Sequence, residues 1–433
     1  MQDDKIYKRI YILIDCNNFF VSCERIFRPD LRYKPVLVLS NNDGCVVARS
    51  NEAKALKIGM GIPVFKIKDI IKKHNITLFS SNFPLYLDIS QRIMTTLETL
   101  CQKTYVYSVD ECFLILENAT EEEAINLAFK AKNTIATNIG VPVAAGIACT
   151  KTLAKLANHY AKKHINTTQS IYSVLDNGFK DRLLIDNPIS EIWGIGKANN
   201  QNLSDMGIKS AYDLANIFNT SIYNKFNIVL KRTIKELHNI DCIDNSENGD
   251  NQMQIMWSRT FKERITKFDD LYTAICNYCA MAARKLRDLG KYCTVITVFI
   301  RTSFYGKEPK YSGETSVSLS YPTHDPRVLM QASLAILKVI YKEDYLYMKA
   351  GVILSGLQSS YEHQFSIFDN YNVTDDVKRS DKLLDAVDNI NNKYQNKVYL
   401  ASQGALLQEA KFNLKEHASK AYTTDFNSLP EIF

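Results

Sequence analysis

Residues 106–116 read VYSVDECFLIL, in which the acidic pair Asp110-Glu111 separates two apolar runs. Each run has the length of a β-strand, so the pair is predicted to lie in a tight connection between two strands. A carboxylate is costly to bury without a partner, and an acid at a strand end is therefore either exposed at a turn or neutralised by a cation.

A second acid stands at the end of a strand-like run near the N-terminus. Residues 11–20 read YILIDCNNFF, in which Asp15 follows four apolar residues. If Asp15 lies beside Asp110 and Glu111, the three carboxylates could hold two divalent metals about 3.5–4 Å apart for in-line phosphoryl transfer. Such ligands, without a nearby His or Cys cluster, favour Mg²⁺ over zinc. The alternative is three exposed turn carboxylates.

The composition of the 433 residues is that of a globular protein with several domains. No apolar run approaches the ~20 residues of a membrane-spanning helix. The N-terminal MQDDK has no apolar signal segment, and the 10 cysteines are scattered singly. We therefore expect a cytoplasmic protein with no membrane partner.

The net charge of +6 is unevenly distributed along the chain. Residues 257–310 contain eleven Lys or Arg and five Asp or Glu, a surplus of six that equals the surplus of the whole chain. A basic segment on an otherwise balanced body indicates a polyanion partner, although a solvated charged face has the same composition.

The order of apolar runs predicts an α+β multidomain fold. Strands and helices alternate in residues 10–164, whereas residues 165–240 are predicted to be helical. Residues 192–197 read IWGIGK, a turn that either presents backbone N–H groups to a phosphate or uses glycine only for its conformational freedom. After a polar stretch, a β-α-β-β-α-β pattern is predicted, and one more helix is predicted at residues 378–392.

Four basic residues are candidates for binding a triphosphate: Arg49, Lys54, Lys155 and Lys162. Lys155 and Lys162 are seven residues apart and so share a helical face, as a solvated stripe would too. Phe20 follows Asp15 closely, so it either forms a flat wall beside a bound sugar or belongs to the core.

Together these residues resemble the Y-family translesion DNA polymerases, and among them the bacterial UmuC type. The resemblance extends from about residue 11 to about residue 422. The motifs that carry it are DCNNFFVSCE at 15–24, FRPDL at 27–31, LSNNDGCVVAR at 39–49, NEAKAL at 51–56, FSSNF at 79–83, YSVDE at 107–111, KTLAKLANH at 151–159 and WGIG at 193–196.

The resemblance implies a right-hand polymerase with a ferredoxin-like palm, small fingers, a helix-hairpin-helix thumb and a β-α-β-β-α-β little finger. The domains that it implies are the palm at 1–35 and 80–164, the fingers at 36–79, the thumb at 165–240, a linker at 241–252, the little finger at 253–356 and a C-terminal tail at 357–433.

The resemblance also implies roles for individual residues. Two Mg²⁺ ions, a steric gate against the ribose 2′-OH and basic contacts to the incoming dNTP are expected, although a family position near Lys54 that is often Tyr is Asn51 here. The metal ligands would be Asp15, Asp110, Glu111 and the backbone carbonyl of Cys16; the nucleotide contacts would be Phe19, the gate Phe20, Lys54 and Lys162.

The same resemblance implies several macromolecular partners. Primer-template DNA is expected at the thumb turn, a sliding clamp at the QFSIF peptide, and a processed UmuD-type subunit and a recombinase filament as further partners. The DNA contacts would be Gly194, Ile195, Gly196 and Lys197, and the clamp contacts Gln364, Ser366, Ile367 and Phe368.

The expected activity is template-directed DNA synthesis past damaged bases without proofreading. Small fingers should close poorly over the nascent pair and leave a roomy site. Three other interpretations remain at this point: a metal-dependent nuclease, a catalytically silent DNA-binding scaffold and a nucleotide cyclase. Primer extension with dNTPs separates the nuclease, because a nuclease shortens the primer. The presence of Asp15, Asp110 and Glu111 argues against a silent scaffold, and a cyclase would have little use for the helix-hairpin-helix segment and the clamp-like peptide.

Overall fold

A computed structural model describes residues 5–243, 252–305, 308–359, 373–394, 398–404 and 415–425. The chain forms two compact units. The first takes its residues from 1–40, 44–249 and 417–433, and the second from 41–43 and 250–416.

The strands and helices are numbered in chain order. The strands are β1 (Tyr7–Cys16), β2 (Val36–Leu39), β3 (Val46–Arg49), β4 (Thr77–Ser80), β5 (Thr104–Val106), β6 (Glu111–Ala119), β7 (Val143–Ala148), β8 (Ile171–Ser173), β9 (Gln254–Ile265), β10 (Cys293–Thr302), β11 (Ser312–Thr323) and β12 (Tyr347–Ser355). The helices are α1 (Phe19–Ile26), α2 (Asn51–Ala55), α3 (Lys68–Lys73), α4 (Phe83–Leu100), α5 (Glu121–Asn138), α6 (Lys151–Lys163), α7 (Ile165–Thr168), α8 (Asn177–Asp186), α9 (Lys197–Asp205), α10 (Ala211–Asn216), α11 (Ile228–Leu237), α12 (Phe268–Asp288), α13 (Pro326–Ile340) and α14 (Val373–Tyr394).

The first unit is built on a sheet with the strand order β5-β6-β1-β7-β8. Strand β1 is antiparallel to both β6 and β7. Because side chains alternate between the two faces of a strand, Ile12 and Ile14 join the core formed with α4 and α5, whereas Tyr11 and Leu13 join the core formed with α6 and the later helices. Burial on both faces explains why β1 reads as a continuous apolar run.

A small sheet with the strand order β3-β2-β4 lies in the region predicted as fingers. Strands β2 and β3 are antiparallel, and β2 and β4 are parallel. Its core includes Leu37, Leu39, Ala53, Ile58 and Ile67. Each of its three strands is only four residues long.

Helix α6 lies directly against β7 because Gly146 has no side chain. A Cβ atom added there would collide with the backbone of Ala154 and would lie 2.9 Å from the Cα of Asn158. The Asn158 side chain completes the contact by donating a hydrogen bond to the Ala144 carbonyl, at 2.9 Å. This glycine therefore determines how closely α6 approaches the sheet.

The buried carboxylate of Glu236 joins α11 to the beginning of α6. It accepts hydrogen bonds from the backbone N–H groups of Thr152, at 2.9 Å, and Cys242, at 3.1 Å. The Thr150 hydroxyl donates to the carbonyl of Glu236 at 2.9 Å. The N–H groups in the first turn of a helix have no partner within that helix, so Glu236 satisfies one of them from another element.

The first residues of the predicted linker are held against β1. The carboxylate of Asp241 accepts hydrogen bonds from Arg9, at 2.9 Å, and from the Tyr11 hydroxyl, at 2.8 Å. Composition predicts a polar linker here, but it does not indicate these contacts.

The second unit contains an antiparallel sheet with the strand order β11-β10-β12-β9. Helices α12 and α13 share a buried core with it. The β-α-β-β-α-β pattern is confirmed. Helix α14 is longer than the predicted 378–392, and its Asp388 forms an ion pair with Arg287 at 2.6 Å.

Part of the predicted tail belongs to the first unit. Tyr422 is 8% exposed and its ring stacks on Phe27, with 4.2 Å between centroids. The apolar residues after residue 357 show only weak periodicity, so the sequence did not indicate this contact. The QFSIF peptide at 364–368 lies outside the described residues. Within the described parts of the chain, none of the helices combines the length and apolarity that a bilayer crossing requires.

We predict that Gly146→Ala lowers the free energy of unfolding by about 1–3 kcal/mol, because the added methyl group forces α6 away from β7. Urea denaturation measures this change. Gly59→Ala is the matched control, since a Cβ there meets no atom within 4 Å. Equal stability of the two variants would contradict the close approach of α6.

Candidate active site

Asp15 and Glu111 lie opposite each other on neighbouring strands. They are register partners in the antiparallel pairing of β1 with β6. Both side chains are 16% exposed. Directly opposed residues of an antiparallel pair point to the same face of the sheet. The two acids therefore share the face on which α6 lies.

Asp110 is fixed in the turn that precedes β6. Its backbone carbonyl accepts a hydrogen bond from the Cys16 N–H at 2.9 Å, which joins the turn to the end of β1. Its carboxylate accepts a hydrogen bond from the Ser108 hydroxyl at 2.6 Å. Asp15 and the adjacent pair Asp110-Glu111, which are far apart in sequence, therefore lie at the same end of the sheet.

The environment raises the pKa of Asp15 to about 6. Burial is the largest cause, because it disfavours the charged form, and the negative charges of Glu111 and Asp110 add to it. The ammonium group of Lys162 opposes the rise. The pKa of Asp15 therefore depends on both its burial and its charged neighbours.

Two lysines of α6 supply positive charge to this acidic group. Lys155 Nζ contacts both carboxylate oxygens of Glu111, at 2.9 and 2.8 Å, and Lys162 forms an ion pair with Asp15. Among the residues that the structure describes, Asp, Glu, His and Cys side chains form no group of three or more arranged to hold a metal ion. The lysines instead provide the charge that the buried carboxylates need.

The donor set nevertheless has the chemistry that Mg²⁺ prefers. Asp15, Asp110 and Glu111 offer hard carboxylate oxygens at neighbouring strand ends. The Cys16 side chain is 2% exposed and belongs to the core, so only its backbone could contribute a ligand, as predicted.

Two aromatic rings surround the Lys155 ammonium group. It lies 4.2 Å from the Tyr107 ring centroid and 5.3 Å from that of Trp193, and Trp193 Nε1 donates a hydrogen bond to the Tyr107 hydroxyl at 3.2 Å. Such cation–π contacts stabilise a charge away from water. Lys155 was predicted to lie near a triphosphate, whereas its partner in the structure is Glu111.

A group of cations lies next to the acids. The pKa of Lys54 is lowered, first because burial disfavours its charge and then because Arg49 and Lys162 repel it, while Asp15 acts in the opposite direction. Clustered like charges of this kind favour the binding of an anion. Asn51, the position where the family often has Tyr, accepts a hydrogen bond from Asn18 at 2.9 Å.

The two neighbouring phenylalanines of α1 face different surroundings. Phe19 is 4% exposed and forms part of the core, so only its backbone could contact a nucleotide, and its predicted role stays a prediction. Phe20 is half-buried, stacks on Tyr86 with 4.6 Å between centroids and meets Phe83 edge-on at 5.9 Å. The sequence analysis did not single out Tyr86, because its contact with Phe20 depends on how α1 and α4 pack together.

The glycine turn of the predicted thumb precedes α9. Gly194 has a φ of +87°, and Gly196 is the N-cap of α9 without a capping side chain, so N–H groups of the first turn remain available to a phosphate. Lys197 is exposed. The Ile195 side chain is 8% exposed and packs in the core, so the DNA contact predicted for it could only come from its backbone.

Comparison with known proteins identifies the family. Residues 14–159 match the impB/mucB/samB family and residues 252–367 match its C-terminal domain. Protein UmuC of Salmonella typhimurium is 38% identical over 428 residues, 98% of this chain and 100% of the relative. The chain belongs to the impB/mucB/samB family. It is thus a UmuC-type member of the Y-family DNA polymerases, as its motifs predicted.

Further relatives agree with this assignment. Protein MucB of Escherichia coli is 37% identical over 97% of this chain and 99% of its own length. DNA polymerase IV of Clostridium acetobutylicum is 26% identical over 91% of this chain and 98% of its own length. Residues 381–432 match a domain of unknown function.

Solved structures confirm the fold class. A chimera of the Y-family DNA polymerases Dbh and Dpo4 superposes with a TM-score of 0.65 at 21% identity, covering 81% of this chain and 100% of the chimera. An insertion ternary complex of Dbh gives a TM-score of 0.51 at 20% identity, covering 80% of this chain and 98% of Dbh.

We predict that Lys155→Met lowers the free energy of unfolding by about 1–3 kcal/mol, because Glu111 then loses its partner in a poorly solvated position. Urea denaturation in the presence of a chelator measures the effect. Lys103→Met is the control: Lys103 pairs with Glu117 of the same strand β6, but these side chains are 59% and 39% exposed. That exposed pair should contribute less than about 1 kcal/mol. A larger loss in Lys103→Met would contradict this assignment.

Proposed function

We propose that this UmuC-type polymerase copies damaged template DNA by transferring a deoxynucleoside monophosphate from dNTP to a primer 3′-OH. The observation that carries the proposal is the meeting of Asp15, Asp110 and Glu111 at one end of the sheet, beside a group of cations. This is the combination that phosphoryl transfer requires: acids that bind divalent metals next to bases that bind a polyphosphate.

The acids would hold two Mg²⁺ ions. Asp15 and Asp110 would contact both, Glu111 would hold the ion on the primer side, and the Cys16 carbonyl would hold the ion on the nucleotide side. When bound, these ions would lower the pKa of the 3′-OH and offset the charge of the leaving pyrophosphate.

The cations would orient the triphosphate. Lys54 and Lys162 would contact its β- and γ-phosphates, and Arg49 would add to the positive potential. The support is that Arg49 and Lys162 lie close enough to Lys54 to repel it, an effect that adds to burial in lowering the pKa of Lys54 and that a bound polyanion would relieve. Lys162 already reaches Asp15, so its ammonium group lies at the border between acids and phosphates.

Phe20 would serve as the steric gate. Its ring is held by stacking on Tyr86 and by the edge of Phe83, so it cannot easily turn away from a sugar placed against it. A ribose 2′-OH would clash with this ring, whereas the hydrogen of deoxyribose would not.

Primer-template DNA would contact the backbone N–H groups at Gly194 and Gly196 together with the Lys197 side chain. The basic residues of the second unit, concentrated in 257–310, would add contacts to the phosphate backbone. The small fingers sheet would leave room for a damaged base at the cost of fidelity. We propose synthesis without proofreading. An exonuclease needs metal-binding carboxylates of its own, and the sequence has no second carboxylate set of that kind.

The proposed protein partners are inferred from the family to which the chain belongs. A sliding clamp would bind the QFSIF peptide at 364–368, an extended segment of the kind that docks in a groove. A processed UmuD-type subunit and a recombinase filament are proposed from the UmuC-type relationship.

Asp110→Asn is predicted to lower primer extension by at least about 10³-fold while DNA affinity stays near that of the wild type, because the amide cannot replace a charged metal ligand. Extension of a labelled primer with dNTP and Mg²⁺ measures the first quantity, and fluorescence anisotropy the second.

Asp88→Asn is the matched control, since Asp88 pairs with Arg92 on the surface of α4. Retained extension by the Asp110 variant would remove this residue from catalysis. A primer that is shortened by the wild type would favour the nuclease instead.

Phe20→Ala is predicted to increase the use of ribonucleotides at least about tenfold relative to deoxyribonucleotides, because the clash with the 2′-OH is relieved. The ratio of kcat/KM for a dNTP to that for the matching rNTP measures the effect. Phe179→Ala is a control, because its ring is 53% exposed on α8 and meets Tyr172 rather than Phe20. An unchanged ratio in Phe20→Ala would reject the gate.

A further inference from the structure

Residues 417–425 form a C-terminal strap that is bound to the connection between β4 and α4. The Ser80 N–H donates a hydrogen bond to the His417 carbonyl at 2.9 Å, and the His417 N–H donates to the Ser80 hydroxyl at 3.1 Å. The side-chain amide of Asn82 donates to the Ser419 hydroxyl, at 2.9 Å, and to the Lys420 carbonyl, at 3.0 Å. The strap is therefore fixed at the beginning of α4.

An aromatic stack anchors the strap at the end of α1. Tyr422 and Phe27 lie face to face, with 4.2 Å between centroids and 7° between planes. Burial of Tyr422 raises the pKa of its hydroxyl. The strap therefore bridges α1 and α4, the two helices that carry Phe20 and Tyr86.

The buried carboxylate of Glu24 joins the strap to α4. It is 0% exposed, and its Oε1 accepts hydrogen bonds from the Tyr86 hydroxyl, at 2.7 Å, and from the Ser419 hydroxyl, at 3.1 Å. Its pKa is raised because burial outweighs these two hydrogen bonds. An acid in such a place is costly unless each of its donors stays in position.

Tyr86 connects this network to the proposed gate. Its ring is nearly parallel to that of Phe20, with 15° between planes, while its hydroxyl is held by Glu24. Asn82, which holds the strap, also accepts a hydrogen bond from the Leu85 N–H at 3.4 Å and so caps α4. A continuous set of contacts thus leads from Ser419 through Glu24 and Tyr86 to Phe20.

We propose that the C-terminal strap positions the Phe20 ring through Glu24 and Tyr86, and thereby sets how strongly the enzyme rejects ribonucleotides. This inference rests on the proposed function, because it assumes that Phe20 is the gate. It gives a role to part of the segment that matches a domain of unknown function. Tyr86, Ser419 and Tyr422 act as positioning residues in this arrangement, since they act through Phe20.

The test uses the full-length chain and measures kcat and KM for a dNTP and for the matching rNTP. Ser419→Ala, Tyr422→Ala and Tyr86→Ala are each expected to lower the dNTP/rNTP ratio of kcat/KM by about two- to tenfold, the effect of losing one aromatic or hydrogen-bond contact. The kcat for the dNTP should stay unchanged, because none of these side chains binds the triphosphate or the acids.

Two variants separate positioning from general loss of structure. Tyr422→Phe keeps the ring that stacks on Phe27 and should restore the wild-type ratio. Lys420→Ala changes an exposed side chain whose residue contributes only its carbonyl to the contact with Asn82, so it should behave as the wild type. Hydrogen exchange should show faster exchange at the beginning of α4 in Tyr422→Ala, but not in Lys420→Ala.

The outcomes of this test distinguish the two proposals. Wild-type ratios in Ser419→Ala and Tyr422→Ala, together with a lowered ratio in Phe20→Ala, would overturn the role of the strap and leave the proposed function intact. An unchanged ratio in Phe20→Ala would overturn the gate and, with it, this inference. A parallel loss of dNTP kcat in all strap variants would indicate a purely structural contact and would also overturn it.

Discussion

The pairing of β1 with β6 is the constraint on which the site depends. It places Asp15 directly opposite Glu111, and the turn before β6 brings Asp110 to the same end of the sheet. Carboxylates brought together at poorly solvated positions repel one another, and nearby cations offset this repulsion. Helix α6 provides them, and it can do so because Gly146 lets it lie directly on the sheet.

Local sequence patterns were sufficient to predict most of this arrangement. The apolar runs on both sides of Asp110 and Glu111 indicated the two strands, and the spacing of Lys155 and Lys162 indicated a shared helical face. The alternation of strands and helices, with the motifs that resemble Y-family polymerases, was sufficient for the fold class. These features depend on neighbours in the chain, which is why the sequence alone reveals them.

The features that sequence patterns did not reveal depend on contacts between distant segments. Lys155 lies beside Glu111 with the Tyr107 and Trp193 rings around its ammonium group, and these rings come from two other segments of the chain. Phe19 and Phe20 are equivalent by composition, and only helix packing sends the first into the core. The sequence around Tyr422 is that of a polar tail, and the position of this residue is determined by stacking on Phe27, which is distant in sequence.

The buried carboxylate of Glu236 has a mechanical consequence. Glu236 belongs to α11, but its carboxylate accepts a hydrogen bond from the Thr152 N–H in the first turn of α6. It also accepts a hydrogen bond from the backbone N–H of Cys242. If α11 moved away from the sheet, the buried carboxylate of Glu236 would lose its hydrogen-bond donors. We therefore expect α11 and α6 to move as one body. Under the proposed function, a displacement of α11 would therefore be transmitted along α6 to the residues that pair with Glu111 and Asp15, namely Lys155 and Lys162.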